Sequence, residues 1–389
     1  MKTIIFVSWK DIKNPAAGGA EAVHQELSKR FIQNGHRVIH LVPGFKDCLT
    51  NEIVDGVEII RVGNSLFSFY QLAWYFKKFL KDQCDILIDV FNCFGSFTFL
   101  TSKKTVNIFF IHHIQAEVWK YQTTPPFVFP LNYIGWLIEK IQLLLIAKLF
   151  KGQAVTISDS TRNELLEYGF NLVNTSIIRE GSDIEHLEQL ENAVKNDIFT
   201  VLFVGRWVKM KRPLDAIKSF EIFHKKYPNS QMRIIGSGDL SDQIKSFIQT
   251  NGLVNNVEIL TRISNEEKLH QMQKASVILV TSIKEGWGLV VTEANSQGTP
   301  CISYNVAGLR DSNTKGLVTK QNTPEAMAEE LERLYLDKNL YNQIQKDSWS
   351  DSLNFTFDNC YLDFEEIIAE APLEINKMET VEKAVMIKS

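Results

Sequence analysis

The sequence predicts an α/β fold with two doubly wound, parallel-sheet domains in tandem, facing a central cleft. The length of 389 residues suits two domains of ordinary size. Short apolar runs alternate with amphipathic helical segments in both halves, a pattern that favours parallel sheets with right-handed crossovers. A polar run at 187–197 is typical of a linker. We therefore expect domains at 1–190 and 198–348.

The first half contains a predicted helix from Ala20 to Asn34, closed by Gly35. Its buried-strand patterns are at 4–7, 38–42, 86–90, 108–111 and 154–157. Those of the second half are at 200–204, 232–235, 257–260, 277–280 and 301–303. We expect a helix at about 349–371 to cross back onto the first domain, and a loosely ordered tail at 372–389.

Composition excludes several classes of protein. A hydrophobic fraction of 44% and a charged fraction of 23% are typical of a well-packed globular protein, and the net charge of −4 gives no reason to expect nucleic-acid binding. The five cysteines form no Cys-x-x-Cys pair, which favours a reducing compartment. The apolar run at 4–7 is too short for a signal-peptide core. We expect a cytoplasmic protein.

The stretch 127–150 is the most apolar part of the chain, but interspersed polar residues argue against a membrane span. Apolar residues between Ile134 and Leu145 recur at helical spacing. One interpretation is a core helix packed on a sheet. The other is an amphipathic surface that rests on a bilayer, with Lys140, Lys148 and Lys151 facing the head groups.

Two glutamates eight positions apart, Glu285 and Glu293, carry the strongest functional signal. Glu285 follows the buried-strand pattern that ends at residue 282, and Glu293 lies on the helix predicted to start near Leu289. Open α/β sheets bind ligands at the carboxyl ends of their strands. Because carboxylate oxygens accept hydrogen bonds from hydroxyl groups, the pair predicts a site for a sugar nucleotide.

A basic segment follows the first strand of the second half. That strand ends at Gly205, and Arg206 and Lys211 come next. A guanidinium and an ammonium at a strand end suit a diphosphate, although a solvated basic loop is the plainer interpretation of this segment alone. Two further strand-end loops, starting near Gly236 and Arg262, are expected on the same edge as Glu285.

In the first half, Gly18 and Gly19 join the first strand to the first helix, where backbone N–H groups favour an anion, although a plain tight turn is the simpler interpretation of this loop alone. The dinucleotide fingerprint Gly-x-Gly-x-x-Gly is missing from this loop. His112 and His113 follow the strand pattern at 108–111 and are expected at the edge of the cleft. A histidine there can bind a sugar hydroxyl, although a buried, hydrogen-bonded histidine is the usual alternative.

Taken together, these motifs resemble the family-4 retaining glycosyltransferases of GT-B architecture, which have two Rossmann-like doubly wound domains. The matching elements are 18–21, His112, 180–183, Gly205 with Arg206 and Lys211, 236–238, and 285–293. The resemblance covers residues 1 to about 310. The chain departs from the usual family pattern at Arg212, His113 and Trp287, where glycine, aspartate and phenylalanine are more frequent.

The resemblance implies a hexosyltransferase that moves a sugar from a UDP- or GDP-sugar to an acceptor hydroxyl with retention of configuration. It assigns catalytic roles to His112, Glu285, Arg206 and Lys211. It assigns substrate binding to Gly18, Gly19, Glu21, His113, Gly205, Gly236, Arg262, Gly286, Trp287, Gly288, Leu289 and Glu293. Glu293 would hold the ribose, Glu285 the donor sugar, and Arg206 with Lys211 the departing diphosphate.

No Asp-x-Asp metal motif stands at a plausible position, so we expect metal-independent catalysis without a cofactor. The acceptor is expected to be a saccharide or a lipid-linked saccharide in polysaccharide or glycoconjugate assembly, with peripheral contact at the inner face of the plasma membrane as one interpretation. The alternatives are a non-catalytic GT-B partner or glycan-binding protein, and a nucleotide-sugar epimerase. The sequence leaves the base, the sugar and the acceptor open.

Overall fold

The computed structural model describes residues 1–63, 68–102, 105–116, 118–121, 131–182 and 185–386, without the side chains of 120–121 and 372–386. The chain forms two compact units. Unit 1 comprises Met1–Gly181 and Phe357–Ser389, and unit 2 comprises Ser182–Thr356. The polar run at 187–197 belongs to unit 2, where the Leu187 N–H donates to the Ser296 carbonyl at 3.1 Å.

Unit 1 contains an eight-stranded sheet in the order β3-β4-β2-β1-β5-β6-β7-β8. Its strands are β1 (Thr3–Val7), β2 (Arg37–Val42), β3 (Asn51–Val54), β4 (Val57–Arg61), β5 (Ile86–Phe91), β6 (Val106–Ile111), β7 (Gln153–Thr156) and β8 (Thr175–Ile177). All neighbouring pairs are parallel except β3 with β4. The edge strands β3 and β8 and the neighbouring strand β4 were not predicted, because their short sequences carry no continuous apolar run.

The helices of the first part of unit 1 are α1 (Gly19–Gln33), α2 (Ser68–Tyr75), α3 (Leu131–Leu149) and α4 (Asp159–Glu167). The central strands are buried on both faces, as parallel sheets covered by helices require. Helix α3 buries Leu143 and Ile146 in this core, next to Phe99 and Phe109. None of the described helices is long and apolar enough to cross a membrane.

Unit 2 contains a six-stranded parallel sheet in the order β11-β10-β9-β12-β13-β14. Its strands are β9 (Phe199–Val204), β10 (Ser230–Ile235), β11 (Val257–Leu260), β12 (Val277–Val280), β13 (Cys301–Ser303) and β14 (Leu317–Val318). The chain winds from β9 toward β11 in one direction and from β12 toward β14 in the other. The strand order therefore reverses between β9 and β12, where doubly wound sheets bind ligands.

The helices of unit 2 are α5 (Pro213–Lys226), α6 (Ser241–Thr250), α7 (Asn265–Lys274), α8 (Leu289–Ser296), α9 (Ala307–Ser312), α10 (Pro324–Leu336) and α11 (Lys338–Ser352). They pack on both faces of the sheet around two clusters of apolar side chains. The predicted strands all appear, and the fold class is confirmed: two mainly parallel sheets, each doubly wound.

The last helix, α12 (Phe357–Met386), belongs to unit 1 although it follows unit 2 in the chain. Tyr361 and Phe364 of α12 pack edge-on against Phe31 of α1, with ring centroids 5.1 and 6.1 Å apart. The Arg30 guanidinium bonds the Asp358 carboxylate at 2.6 Å. The segment predicted to cross back is thus divided between α11 in unit 2 and α12 in unit 1. Its backbone is helical to Met386, where the sequence predicted a loosely ordered tail from residue 372.

Candidate functional site

The carboxyl edge of the unit 2 sheet brings together most of the residues predicted for donor binding. Gly205 and Arg206 follow β9, Gly236 follows β10, Arg262 follows β11, and Glu285 lies in the loop after β12. These four strands are neighbours in the sheet. Arg206 and Arg262 are exposed at this edge. The prediction that these loops share one edge is therefore confirmed, whereas their roles stay predictions.

Glu285 lies at the reversal point with a hydroxyl and a cation at its carboxylate. Its Oε1 accepts a hydrogen bond from Ser282 Oγ at 2.6 Å and forms an ion pair with Lys211 Nζ. The Lys211 side chain is 28% exposed and that of Glu285 14%. Sequence reasoning placed both residues in the site but gave no indication that they bond directly. The pair presents a cation and a carboxylate side by side at the edge of the sheet.

The loops after β9 and β12 are joined through their backbones, which fixes Lys211 relative to Glu285. Thr281 Oγ1 donates to the carbonyl of Lys211 at 2.9 Å, and the Ile283 N–H donates to the carbonyl of Met210 at 2.8 Å. Thr281 is fully buried. The ion pair therefore stands on a preorganised backbone.

Two glycines after β10 allow close packing against the loop after β9. Gly236 has φ 147° and Gly238 has φ 155°. A Cβ at Gly238 would lie 2.6 Å from the Trp207 carbonyl oxygen, and a Cβ at Gly236 would overlap the Gly205 carbonyl oxygen. The Trp207 N–H donates to the Ser237 carbonyl at 2.8 Å. This packing explains why glycine is required at both positions, independently of any ligand.

The segment from Gly286 to Leu289 connects Glu285 to helix α8. Gly288 caps α8 with φ 98°, a conformation that favours glycine. The Trp287 side chain is 2% exposed and packs against Phe355 with ring centroids 5.2 Å apart. Its indole thus stabilises the core of unit 2, because a large aromatic ring is best buried. If this segment contacts a ligand, the contact would be made by its backbone atoms.

Glu293, on α8, pairs with a lysine that sequence analysis did not identify. Lys268 Nζ of α7 lies 2.9 Å from Glu293 Oε2, and both side chains are about one-fifth exposed, at 21% and 18%. The lysine neutralises the carboxylate while one face stays accessible to solvent. The only sequence signal for this contact is the position of Lys268 in an amphipathic helix, which does not name its partner.

In unit 1, His112 lies directly after β6 with both ring nitrogens in contact with other side chains. Its Nδ1 is 2.5 Å from Glu180 Oε1, and its Nε2 is 2.8 Å from His24 Nε2. All three residues are buried. A carboxylate at Nδ1 requires the proton on that nitrogen, and in a neutral ring Nε2 then accepts the hydrogen bond that His24 Nε2 donates. Glu180 belongs to the segment 180–183, whose Asp183 lies outside the described residues.

His24 is held neutral by its surroundings. Burial, with smaller contributions from His112 and His40, lowers the pKa of His24 well below its ordinary value. Its Nδ1 is buried with no hydrogen-bond partner among the described residues, as a bare acceptor nitrogen allows. His24 therefore donates through Nε2 and keeps His112 in one tautomer. Sequence reasoning missed His24, whose position inside α1 carries no functional signal.

The start of α1 forms the wall of a small cleft in unit 1. Glu21 Oε2 accepts from the Gly18 N–H at 2.6 Å, which caps the helix and leaves the next N–H groups, from Gly19 onward, at its open end. The cleft is bounded by the carboxyl ends of β1, β5 and β6. It is lined by Ser8, Trp9, Ala20, Glu21, His24, Val90, Phe91, Asn92, His112 and His113. The structure thus brings Glu21, His112 and His113 together, as expected.

Two family models match adjacent parts of the chain. The model described as Glycosyltransferase Family 4 matches residues 17–186, and the model described as Glycosyl transferases group 1 matches residues 187–349. The two matches meet at residues 186 and 187, close to the start of unit 2 at Ser182, and together span residues 17–349. The chain is a family-4 glycosyltransferase. The resemblance inferred from its motifs is confirmed.

Relatives and solved structures agree with the family. An uncharacterized glycosyltransferase of Methanocaldococcus jannaschii is 22% identical to this glycosyltransferase over 379 residues, 92% of this chain and 95% of that protein. The capsular polysaccharide biosynthesis glycosyltransferase CapM of Staphylococcus aureus is 26% identical over 226 residues, 54% of this chain and 58% of that protein. The Anabaena protein HepE, in complex with UDP and glucose, has a TM-score of 0.69 at 15% identity and covers 95% of this chain and 100% of its own. The architecture is GT-B.

Proposed function

We propose that this glycosyltransferase transfers a hexose, with retention of configuration, from a nucleotide diphosphate sugar to a saccharide acceptor. The observation that carries the proposal is the Lys211–Glu285–Ser282 cluster at the point where the unit 2 strand order reverses. A cation for the diphosphate and a carboxylate for sugar hydroxyls stand there side by side. This is the charge arrangement that a sugar nucleotide requires.

In this proposal, two cations stabilise the diphosphate as it leaves the sugar. Negative charge builds on the diphosphate as the bond to the sugar breaks, and Lys211 and Arg206 stabilise that charge. The N–H groups at the start of α8, after Gly288, add a favourable dipole. Glu285 orients the sugar through its hydroxyls, and Glu293 binds the ribose. Attack from the face that the diphosphate leaves needs no protein nucleophile.

Residues of unit 1 contribute by binding in this proposal. The open helix end at Gly19 suits a phosphate or a sugar hydroxyl. His112 is buried and bonded at both nitrogens, so its contact with the sugar would use its backbone or one exposed edge of its ring. Glu21 and His113 line the same cleft and would complete the binding surface.

We propose that the acceptor is a saccharide, free or lipid-linked, in the assembly of a cell-surface polysaccharide. CapM, similar over about half of this chain, is named for capsular polysaccharide biosynthesis, and HepE was solved with UDP and glucose. A lipid-linked acceptor would require the enzyme to work at the cytoplasmic face of a membrane.

Calorimetric binding of UDP and of GDP in EDTA tests the donor site. Wild type is expected to bind one of the two nucleotides, and Glu293→Ala is expected to lose that binding. Glu329→Ala, an exposed glutamate on α10, is the matched control. Binding in EDTA would also support a metal-independent donor site. If wild type binds neither nucleotide, a non-catalytic GT-B partner becomes the better interpretation. If the sugar nucleotide is converted to an epimerised sugar without an acceptor, an epimerase does.

A further inference from the structure

Helix α3 exposes an unusual concentration of large apolar side chains. Among the described residues, 24 large hydrophobic side chains are exposed, and nine of them lie on this one helix. They are Leu131, Tyr133, Ile134, Leu137, Ile138, Ile141, Leu144, Leu145 and Leu149. Each is between 39% and 54% exposed. Scattered exposed leucines are ordinary on a soluble protein, but a contiguous patch of this kind marks an interaction surface.

The exposed side chains form one continuous face of the helix. At about 100° per residue, eight of them fall within an arc of roughly 140°, with Tyr133 at its border. The opposite side of α3 is buried and carries Asn132, Gly135, Glu139, Leu143 and Ile146. One side of α3 thus packs in the core, as the core-helix interpretation of 127–150 expected, while the other side is exposed, as an amphipathic surface helix requires.

The charges on α3 are all positive where they reach solvent. Lys140 and Lys148 are exposed, and Lys151 is exposed just after the helix. The one acidic residue of the helix, Glu139, is fully buried, where it accepts hydrogen bonds from Trp119 Nε1 and the Gln115 N–H, each at 2.8 Å. An apolar face with Lys140 at its border and Lys148 within it near the end of the helix fits an anionic lipid surface.

Unit 1 exposes a second group of large apolar side chains, again with a lysine beside them. Tyr70, Trp74 and Phe79, on α2 and the short π-helical segment Phe76–Leu80 that follows it, are at least half exposed. Lys78 Nζ lies 4.8 Å from the centre of the Trp74 ring. Tryptophan, tyrosine and lysine are the residues that anchor proteins at the lipid–water interface.

The two groups are connected through the turn Thr98–Thr101. This turn contacts α2 and the short π-helical segment Phe76–Leu80. Its Phe99 ring packs edge-on against Phe150, the residue after α3, with ring centroids 5.2 Å apart. Leu100, between these contacts, is 49% exposed. The turn thus links α2 to the end of α3 and itself exposes an apolar side chain.

We propose that the exposed face of α3, with Trp74 and Phe79, docks this enzyme on an anionic phospholipid bilayer, α3 lying in the plane of the surface. The helix lies on the membrane and does not cross it, in keeping with its length and charges. The proposal rests on the proposed function only in that docking would bring the enzyme to a lipid-linked acceptor. A second copy of the chain is the alternative occupant, disfavoured because the lysines would face each other across a symmetric contact.

Flotation with lipid vesicles, without donor or acceptor, tests the docking surface separately from catalysis. Wild type is expected to float with vesicles of phosphatidylcholine and phosphatidylglycerol at low salt, and less with phosphatidylcholine alone. Ile134→Glu with Leu145→Glu should reduce flotation by about tenfold or more, because two charges enter the apolar face. Val254→Glu with Leu336→Glu, at exposed apolar positions of unit 2, is the matched control and should float like wild type.

Lys140→Glu with Lys148→Glu is the second test and leaves the apolar residues in place. It should remove the preference for phosphatidylglycerol, and its fold is checked by thermal melting. No flotation of wild type, or equal flotation of both α3 variants and wild type, would overturn the proposal. A dimer in light scattering that the α3 variants abolish, without flotation, would assign the surface to a second copy. Nucleotide binding, measured on the same variants, reports on the donor site independently.

Discussion

Lys211→Ala is the substitution that tests the proposed leaving-group chemistry most directly. In the structure Lys211 Nζ contacts Glu285 and is held in place by the bonds of Thr281 and Ile283 to the backbone of the loop that carries it. The remaining cation of the proposed pair, Arg206, is exposed. Alanine removes the cation that the loop holds in place and leaves the exposed one.

The expected magnitude follows from the charge that Lys211 would meet. Removing one preorganised donor from a developing anion costs about 3 kcal/mol in the barrier, so we expect turnover to fall roughly a hundredfold or more. The cost in folding stability should be much smaller. The ion pair with Glu285 is partly exposed, at 28% and 14%, and Glu285 keeps its bond from Ser282. About 1 kcal/mol or less is expected.

The assay is hydrolysis or transfer of the sugar nucleotide identified by calorimetry, with kcat and KM determined separately. Lys209→Ala removes an exposed lysine from the same loop and should leave kcat unchanged. Lys211→Arg keeps the charge and should restore part of the rate. Near wild-type turnover of Lys211→Ala, at unchanged melting temperature, would refute the role assigned to Lys211.

Three further predictions concern positioning and stability. Glu180→Ala should lower turnover about tenfold or more, since His112 loses the acceptor that fixes its tautomer, while calorimetry of the nucleotide on unit 2 stays unchanged. Gly308→Ala should lower both melting temperature and nucleotide affinity, because its Cβ would lie 2.5 Å from the Glu285 carbonyl oxygen and force that loop to move; the strain is expected to cost about 1–3 kcal/mol. Burial lowers the pKa of His40 from its ordinary value of 6.5 to about 4, so the unfolded chain binds this proton more tightly than the folded chain does. Stability is therefore lost as the pH falls below 6.5. His40 should therefore cost about 2 kcal/mol of stability at pH 5 relative to pH 7, and denaturant unfolding of His40→Gln should show a flatter acid slope than wild type.

Each of these has an outcome that contradicts it. Equal turnover in Glu180→Ala would mean that His112 is positioned by its packing alone, and unchanged affinity in Gly308→Ala would separate that loop from the nucleotide. Burial raises the pKa of Asp89 to about 6, which stabilises the fold toward acid and opposes His40. The measurement therefore compares how the free energy of unfolding changes with pH in His40→Gln and in wild type. An identical pH dependence would show that His40 does not contribute to the loss of stability in acid.

The donor half of the candidate site was predictable because it is read from local sequence. Each of Gly205, Gly236 and Glu285 follows an apolar run of strand length, and parallel strands present their carboxyl ends at one edge. Knowing which segments are strands, and which loop follows each strand, is therefore enough to place these residues together. The strands β3, β4, β8 and β14 were missed because their pairing depends on neighbours in space and not on a long apolar run of their own.

The contacts within the histidine cluster of unit 1 could not be predicted from local sequence. His24 lies 88 positions from His112, and Glu180 lies 68 positions from it. The contacts arise only when α1, β6 and the end of unit 1 pack together. The sequence pattern predicts which strand end His112 occupies. The tautomer of its ring depends on two buried partners, whose positions in the sequence do not identify them as neighbours. Glu180 holds the proton on Nδ1 of His112, and His24, whose pKa is lowered by burial, lies as a neutral histidine against the other nitrogen.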